Sequence, residues 1–491
     1  MKNYILGALL LCLMACTPGK KEEVKPIPYS QQMVESHGLI DFYCNRRHHD
    51  SLSTTPWDYV SGLVANAVLK TWAYYPEKTE YYDAVKAFAD FSTNEDGSDI
   101  KNAKGTTALR PSNIDDLPAG NIFFALYNEE LKKGNTKDAE RYKNATTVIR
   151  NKLKYDHSRI AEGLPGAGGF FHKAIYPNQM WLDGLFMGSP IYAQWQNAFG
   201  KDNVEENEES WNDIAHQFMT IHKFTYNAEK LLNYHAWSAT PEDENSFWAQ
   251  KEGTYKGCSQ EFWGRGMGWY FAALVDVLEV MPKDHKHYAD VCGILQQVAA
   301  GLKRWQDAES GVWYQLLQYD ATKTADGEGD VINGDTYNVG TQANYLEASS
   351  SGFFTYAYWK GIRLGLLDKG EYAPVAEKAY QGLIKNFIRP REDGGIDVVQ
   401  TCASAGLGPA KDPSRTGTAN YYLAGKDITV VENEGKAIGT FILASLEYEM
   451  NHAQKLVRFI LYYIRHGLYG FHGFSFIAYE LFHVDSCNPC L

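Results

Sequence analysis

Two aspartates combine a side chain that can transfer a proton with surroundings that change its acidity. Asp183 lies within the largely apolar and aromatic segment Gln179–Met187, and Asp115 lies just before a predicted helix. An ionised carboxylate is costly to bury alone, and apolar surroundings raise the pKa of an Asp, which lets it act as a general acid near neutrality. Two such carboxylates at one cavity suit glycosidic chemistry. Asp183 and Asp115 are therefore the candidate catalytic residues.

Both aspartates also have a structural interpretation. Asp183 is predicted at the start of a helix, where a carboxylate is favourable and can simply face solvent. Asp115 and Asp116 precede Pro118, and an Asp ahead of a helix with proline in its first turn is a common N-cap. Other segments of the chain must decide between catalysis and capping.

The segment Phe262–Trp269 suits a sugar acid. Arg265 lies between glycines, which let a backbone approach a ligand, and the Arg fork matches a carboxylate. A buried ion pair with Asp or Glu is the alternative for Arg265. Trp263 and Trp269 are too far apart to share one helix face closely, so one can stack on a sugar while the other packs in the core.

No convincing metal-ligand spacing is present in the sequence. His172 and His235 can bind hydroxyls or a carboxylate, although either one alone is more often an ordinary loop histidine. The segment Asp326–Asp330 could hold calcium, but a solvated acidic insertion is the favoured interpretation. Cys487 and Cys490 form a single Cys-x-x-Cys pair, which is weak evidence for a metal. We therefore predict neither a metal nor a cofactor.

Composition indicates a large globular protein rich in aromatic residues. Of the 491 residues, 44% are hydrophobic and 14% are aromatic. Tyr and Trp offer flat apolar faces with a polar edge, which suits sugar rings as well as ordinary cores. The net charge of -13 argues against nucleic-acid binding, because no basic surplus is present to neutralise phosphates. An anionic ligand would need local cations set against a repulsive overall field.

The N-terminus resembles a bacterial lipoprotein signal. A lysine precedes the apolar run Ile5–Met14, and Leu13–Cys16 resembles a lipoprotein cleavage box. A signal-anchor helix is the alternative, but the run is short for a bilayer span. We predict a signal peptide at 1–16 and a tether at 17–28, which implies an exported lipoprotein, periplasmic or outer-membrane-associated, that contacts membrane only through lipid on Cys16.

Helical periodicity dominates the remaining chain. We predict helices near 29–46, 57–75, 79–94, 116–132, 137–154, 181–199, 206–231, 262–281, 284–308, 345–367, 371–388 and 434–450. Short links such as Gly134–Thr136 alternate with long loops, and long loops are uncommon in compact domains unless they have a function. About six hairpins can close into a ring with every long loop at one rim. An α-solenoid is the alternative, but no fixed-period repeat is visible.

The ring arrangement would bring the unusual residues together. Asp115, His172, Asp183, His235 and Arg265 all lie on the long loops or at the helix starts beside them. In a closed ring they would converge on one end of one cavity, which is where a ligand site is expected.

Seven ordered sequence blocks resemble a known family. From about residue 30 to about residue 450, the chain resembles the unsaturated uronyl hydrolases of glycoside hydrolase family 105 and the related family 88. The matching blocks are Trp181–Met187, His235–Trp237, Phe262–Trp269, Gly311–Gln315, Tyr345–Ser349, Val431–Glu434 and Gly439–Ala444.

This resemblance implies an all-α fold, an (α/α)6 barrel of six helical hairpins. It also implies a substrate whose terminal uronic acid carries a C4=C5 double bond, left by a polysaccharide lyase. The implied reaction is hydration of that vinyl ether, in which Asp183 protonates C4 and assists water attack at C5, while Asp115 supports substrate hydroxyls. The implied sugar-binding residues are His172, His235, Trp237, Trp263, Arg265 and Trp269, with Tyr59 or Trp57 extending the wall.

The chain departs from the family pattern in two places. Residues 320–343 resemble an insertion that could alter the preferred aglycone, and residues 451–491 form an atypical tail to which we assign no function. We expect an anionic unsaturated oligosaccharide as the ligand, most plausibly from rhamnogalacturonan, and a monomer or weak oligomer. The alternatives are the same reaction on ulvan, glucuronan or glycosaminoglycan products, or a non-catalytic glycan-binding lipoprotein.

Overall fold

Two concentric rings of helices form the part of the chain that the computed structural model describes, which comprises residues 27–39, 42–44, 47–49, 56–102 and 104–466. The helices are α1 (Tyr29–Met33), α2 (Tyr59–Tyr74), α3 (Thr79–Ser92), α4 (Ile122–Lys132), α5 (Thr136–Asn151), α6 (Leu182–Phe199), α7 (Val204–Thr225), α8 (Gly264–Val280), α9 (Tyr288–Arg304), α10 (Ala348–Arg363), α11 (Lys369–Phe387), α12 (Ala419–Ala424) and α13 (Gly435–His466).

The inner ring consists of α2, α4, α6, α8, α10 and α13. Helix α13 packs against both α10 and α2, so that the last inner helix meets the first and the ring closes. The outer helices α3, α5, α7, α9 and α11 each pack on the inner helix that precedes them, and α1 packs on α13. The closed (α/α)6 barrel is therefore confirmed. The twelve helices of the two rings, which exclude α12, correspond to the twelve predicted segments, but the segment predicted at 29–46 is helical only to Gly38 and contains a strand at Phe42–Cys44.

Residue patterning explains which helices lie inside. Helix α8 is buried around its whole circumference from Gly264 to Val275, as expected for a helix surrounded by protein. Helix α5 instead buries one stripe, which includes Ala139, Tyr142 and Ala145, and exposes charged residues such as Lys137 and Glu140; Arg150 in its last turn is buried in a pair with Glu206.

Short strands occupy the long connections that lead into the inner helices. They are β1 (Phe42–Cys44), β2 (Arg47–His49), β3 (Gln179–Trp181), β4 (Tyr226–Asn227), β5 (Leu232–Asn233), β6 (Ala236–Ser238), β7 (Asp330–Ile332), β8 (Asp335–Tyr337), β9 (Ile388–Pro390), β10 (Ile396–Val398), β11 (Thr401–Cys402) and β12 (Val430–Val431). All pairings among these strands are antiparallel and two-stranded. Because each long connection precedes an inner helix, the strands gather at the rim where the inner helices begin.

The predicted insertion at 320–343 contains the β7–β8 hairpin, and two of its acidic residues, Asp326 and Asp330, accept hydrogen bonds from other segments. Asp330 Oδ2 accepts hydrogen bonds from the side chains of Asn338, Thr416 and Thr418, at 2.7, 2.7 and 2.8 Å. Asp326 Oδ2 accepts one from Asn420 at 2.9 Å. Asp326 and Glu328 are exposed, as expected for a solvated acidic segment, whereas Asp330 is partly buried and is held by donors that include Thr416 and Thr418.

Several predictions concern the chain ends. The signal peptide at 1–16, all but the last two residues of the 17–28 tether, and residues 467–491 lie outside the described residues. Helix α13 continues to His466, so the predicted start of the tail at 451 falls inside a helix. Among the described residues, no helix has both the length and the apolar character needed to cross a membrane.

Gly62 lies where α2 passes close to the turn that precedes α4. A Cβ at Gly62 would lie 2.4 Å from Ala119 Cα, a backbone atom that cannot rotate away. We expect Gly62→Ala to lower the free energy of unfolding by about 1–3 kcal/mol, as overpacking does. Urea denaturation followed by circular dichroism measures this. Gly293→Ala on α9 is the control, because a Cβ there meets nothing within 4 Å; equal losses at both positions would contradict the prediction.

Candidate active site

A cavity of about 420 Å³ opens at the rim where the inner helices begin. Its walls come from the long connections and from the first turns of α2, α6, α8 and α13. The residues that line it are Asp58, Tyr59, Arg110, Asp115, His172, Lys173, Tyr176, Trp181, Asp183, Met187, Trp263, Arg265, Trp269, Ala403, Ser404, Ala405, Gly406, Arg415, Asp427, Glu434 and Lys436. Both candidate acids therefore face one cavity.

Strand pairing places Asp183 beside His235. Strand β3 pairs with β6 so that Trp181 lies opposite Ala236, and the Leu182 N–H donates to the His235 carbonyl at 2.9 Å. One residue further on, His235 Nε2 lies 2.9 Å from Asp183 Oδ2. Asp183 is 8% exposed, and this exposure is directed at the cavity. The interpretation of Asp183 as a solvent-facing helix-start residue is therefore wrong.

Asp115 is placed by a second backbone bridge. Asn113 bridges Lys173 in antiparallel fashion, and the Ile114 N–H donates to the His172 carbonyl at 3.3 Å. Asp115 Oδ2 consequently lies 2.5 Å from Lys173 Nζ, and Asp115 Oδ1 lies 3.5 Å from His172 Nε2. The Asp115 carboxylate is thus engaged with side chains of the cavity and not with a helix N-terminus.

The neighbouring Asp116 has the structural role instead. Its Oδ2 accepts the Arg110 backbone N–H at 2.8 Å and the Arg110 side-chain Nε–H at 3.0 Å, and its Oδ1 accepts from Asn113 Nδ2 at 3.1 Å. These bonds hold the loop that presents Asp115. Asp116 is therefore structural, but it fixes a loop, and neither aspartate forms the predicted N-cap.

Burial and neighbouring charges act in opposite directions on Asp115. Burial alone would raise the pKa of Asp115, but the ammonium of Lys173 and the nearby His172 hold it below its usual range. The pKa of Lys173 is raised. Burial alone would lower this pKa, but the Asp115 carboxylate has the larger effect and raises it. Asp115 and Lys173 therefore form an ionised pair near neutral pH.

His172 is a neutral, stacked wall residue. Burial lowers the pKa of His172 to about 4. Its ring stacks on Trp181 with centroids 4.3 Å apart and an interplanar angle of 9°. His172 Nδ1 and Asp115 Oδ1 are buried atoms without a hydrogen-bond partner within the protein.

The segment that begins α8 contributes Trp263, Arg265 and Trp269, all of which line the cavity as predicted. Arg265 Nη1 donates to the Cys402 carbonyl at 2.5 Å and to Ser349 Oγ at 3.2 Å. It also lies 4.0 Å from Glu347 Oε1, so part of the guanidinium is held in the buried ion pair that was the alternative interpretation. Arg265 therefore lines the cavity and also forms buried hydrogen bonds with the protein core.

Of the two residues proposed to extend the wall, Tyr59 lines the cavity and Trp57 does not. Trp57 donates its Nε1–H to the Asp116 carbonyl at 2.8 Å and stacks on Phe123 with centroids 5.6 Å apart. Tyr59 instead meets Trp269 edge to face at 6.1 Å.

Trp237 and His235 require correction. Trp237 was predicted to bind sugar, but it lies outside the cavity lining. Its ring stacks on Phe224, with centroids 3.9 Å apart. Trp237 is paired with Met180, the residue before Trp181, and successive side chains of a strand point to opposite faces, so Trp237 and Trp181 lie on opposite faces of the β3–β6 pair. His235 is itself fully buried and contacts Asp183 from behind rather than lining the cavity.

Sequence reasoning missed several cationic and aromatic residues of the wall. These are Arg110, Lys173, Tyr176, Trp181, Arg415 and Lys436. Lys173 directly follows His172, and Trp181 lies two residues before Asp183, which was an available signal. Arg415 and Lys436 come from distant segments and carried none. Together with Arg265 they place cations on the cavity wall of a chain of net charge -13, and Arg415 and Lys436 each pair with a carboxylate of the same wall, Asp427 and Glu434.

Comparison with known proteins agrees with this geometry. The model of Glycosyl Hydrolase Family 88 matches residues 35–328 and 336–452. A solved glycoside hydrolase from family 105 of C. acetobutylicum is 34% identical, with a TM-score of 0.68, over 86% of this chain and 100% of that chain. The resemblance inferred from the seven sequence blocks is confirmed.

Two curated relatives are more distant. An unsaturated 3S-rhamnoglycuronyl hydrolase from Formosa agariphila is 28% identical over 258 residues, 51% of this chain and 58% of that protein. An unsaturated rhamnogalacturonyl hydrolase from Bacillus subtilis is 24% identical over 261 residues, 53% of this chain and 64% of that protein. The chain thus spans less than two thirds of the length of either curated relative.

Proposed function

This chain belongs to the related glycoside hydrolase families 88 and 105, and we propose that it removes a terminal 4,5-unsaturated uronic acid from oligosaccharides left by a polysaccharide lyase. One observation carries the proposal: the Asp183 carboxylate lies on the cavity wall, held at 2.9 Å by a fully buried histidine. A binding surface needs aromatic walls but has no use for a buried acid fixed in this way.

The reaction is hydration of the C4=C5 vinyl ether. Asp183 gives its proton to C4 as a water oxygen bonds to C5, and the released water proton returns to the Asp183 carboxylate. The product is a hemiketal at C5, which opens the sugar ring. The C1 hemiacetal formed by that opening then releases the aglycone. One water is consumed, and the acid is regenerated.

The other residues of the cavity orient the substrate. The ionised Asp115 accepts hydrogen bonds from sugar hydroxyls while Lys173 keeps it charged. Arg265 and Lys173 provide positive charge for the uronate carboxylate, since a guanidinium or ammonium makes strong charge-assisted hydrogen bonds. The Trp181 and Trp269 rings offer apolar wall to the sugar faces.

Rhamnose is the proposed aglycone sugar, with rhamnogalacturonan as the parent polysaccharide. The support is that both curated relatives above carry a rhamnose unit in their names. The same chemistry on ulvan, glucuronan or glycosaminoglycan products remains the alternative. The β7–β8 hairpin borders the 414–420 loop, next to the cavity residue Arg415, and is the element placed to influence this choice.

A panel of lyase-generated disaccharides tests the proposal. Each is mixed with the protein, and the ultraviolet absorbance of the double bond is followed. Loss of absorbance with at least one substrate, fastest on the rhamnose-containing product, is the expected result. Binding by calorimetry without any loss of absorbance would favour a non-catalytic glycan-binding protein.

Lys173→Met tests the ion pair at the cavity. Removing the ammonium leaves burial as the main influence on Asp115, so the pKa of Asp115 is expected to rise. A carboxylate with a raised pKa becomes protonated at a higher pH. The acidic limb of the kcat/KM profile should therefore move to higher pH. The pH profile checks this. Lys256→Met, at an exposed pair with Glu242, is the control, and an unmoved limb in Lys173→Met would contradict the prediction.

We also propose export as a lipoprotein modified at Cys16, supported by the sequence pattern at 1–16. In a bacterial host that processes lipoproteins, the full chain is expected to incorporate labelled palmitate and to partition into detergent. Cys16→Ala should abolish both, whereas Cys12→Ala, inside the predicted signal peptide, should leave both intact. Equal labelling of the Cys16→Ala variant would contradict the proposal.

A further inference from the structure

We infer that Tyr422 is a positioning residue that fixes the tautomer and orientation of His235 and, through it, the carboxylate of Asp183. The inference rests on the proposed function, because it concerns support of the same site. Tyr422 does not line the cavity and lies outside the seven blocks that carry the family resemblance.

Two successive hydrogen bonds connect Tyr422 to the cavity. The Tyr422 hydroxyl lies 2.6 Å from His235 Nδ1, and His235 Nε2 lies 2.9 Å from Asp183 Oδ2. His235 and Tyr422 are both 0% exposed, so bulk solvent cannot replace either bond. The His235 ring also packs on Trp263 with centroids 4.6 Å apart, which restricts its plane. The imidazole therefore has one orientation and one partner at each nitrogen.

These contacts select which nitrogen of His235 carries the proton. Burial raises the pKa of Tyr422 well above its ordinary value, so its hydroxyl stays protonated. A phenol O–H can donate or accept, but Nε2 faces the acceptor Asp183 Oδ2, so the imidazole proton lies on Nε2 and the Tyr422 O–H donates to the unprotonated Nδ1. Nε2–H then donates to Asp183 Oδ2. The opposite tautomer would set an Nε2 lone pair against a lone pair of Asp183 Oδ2, where two acceptors repel each other, whereas Nε2–H leaves Oδ1 as the oxygen that holds the proton for C4.

Tyr422 is itself held from two sides. It lies on the short helix α12, whose first turn is capped by the Thr418 hydroxyl, and its carbonyl accepts from Gln315 Nε2 at 3.2 Å. Thr418 in turn donates to Asp330 Oδ2 at 2.8 Å. Asp330 belongs to the β7–β8 hairpin, and residues 329–335 fall outside the match to the family model. The inserted hairpin thus supports the helix that carries Tyr422.

Tyr422→Phe removes the hydroxyl and little else. We expect kcat to fall about 10–100-fold with KM nearly unchanged, the range seen when a residue that orients a functional histidine is removed. Tyr358→Phe is the matched control, because Tyr358 is equally buried and its hydroxyl donates to the Ala299 carbonyl at 2.7 Å, between α9 and α10. A wild-type kcat in Tyr422→Phe would overturn the inference.

A double-mutant cycle separates positioning from general support of the fold. In a His235→Gln background, Tyr422→Phe is expected to cause no further loss of kcat, because its effect passes through the imidazole. Multiplicative losses in the double variant would show that Tyr422 acts by another route and would overturn the inference.

The tautomer can be read without turnover. In protein labelled with ¹⁵N-histidine, the His235 ring nitrogens, assigned with the His235→Gln variant, are expected to show Nε2–H in the wild type and a mixture of tautomers in Tyr422→Phe. A wild type that shows Nε2–H but leaves every unsaturated disaccharide intact would overturn the proposed function and not this inference. A wild type with Nδ1–H would overturn this inference even if the enzyme is active.

The hairpin has its own test. Asp330→Ala should lower kcat less than Tyr422→Phe does, because it removes the hydrogen bond that holds the Thr418 cap of α12 but keeps the Tyr422 hydroxyl. Asp335→Ala, at an exposed position of the same hairpin, is expected to retain wild-type kcat. If Asp330→Ala also retains wild-type kcat, the support assigned to the hairpin is wrong.

Discussion

Asp183→Asn is expected to lower kcat by about 10²–10⁴-fold, the usual contribution of a positioned general acid. The amide has nearly the shape of the carboxylic acid, and its Oδ1 can still accept from His235 Nε2, which lies 2.9 Å from Asp183 Oδ2 in the wild type. The variant should therefore fold and bind substrate while being unable to protonate C4. Stopped assays of double-bond absorbance measure kcat, and calorimetry with an unsaturated disaccharide measures the retained affinity.

Asp213→Asn is the matched control for this result. Asp213 pairs with Arg159 at 2.7 Å on the outer helix α7, so its loss changes a carboxylate without touching the cavity. Activity close to that of wild type is expected for the control. If Asp183→Asn consumed the disaccharide at the wild-type rate, another residue would have to donate the proton and the assigned mechanism would be wrong.

Asp115→Asn is expected to have the second-largest effect. Hydrogen bonds to a charged group contribute about 1.5–3 kcal/mol, so losing the carboxylate should reduce kcat/KM by about one to two orders of magnitude. The change also leaves Lys173 Nζ without the carboxylate that lies 2.5 Å from it. An uncompensated, mostly buried ammonium is costly, so a lower melting temperature should accompany the loss of activity.

The double variant Asp115→Asn with Lys173→Met checks that interpretation. Removing both charges is expected to restore much of the melting temperature and none of the activity, because stability requires balanced charge whereas substrate binding requires the carboxylate. Recovery of activity in the double variant would show that Asp115 acts only by neutralising Lys173.

The fold was predictable because its signals are local and repeated. Inner and outer helices differ in how far their apolar positions extend around the helix, as α8 and α5 illustrate, and turn residues mark the hairpins. Twelve segments joined alternately by short and long links leave few arrangements that bury every apolar face. Closure of the ring follows from α13 packing on α2, a contact between distant residues that the periodicity made plausible and the structure confirmed.

The site was predictable only where chemistry and local pattern coincide. Asp183 and Arg265 stood out because a charge in an apolar segment requires a partner. Trp237 was assigned wrongly because the sequence does not say which face of a short strand is turned to the cavity, and its ring packs on Phe224 instead. Asp115 and Asp116 were equivalent in sequence, and only the bridge from Asn113 to Lys173 separates their roles.

The sequence by itself determined the helical repeat and singled out Asp183 and the Asp115–Asp116 pair as candidates, because these depend on residue type and spacing along one segment. Only the tertiary structure decided which groups surround those acids. His235 and Tyr422 are 187 residues apart in the chain, and their 2.6 Å contact exists because ring closure brings two long loops together. Hydrogen bonding acts over a few ångströms, so the partners of a catalytic group are determined by packing.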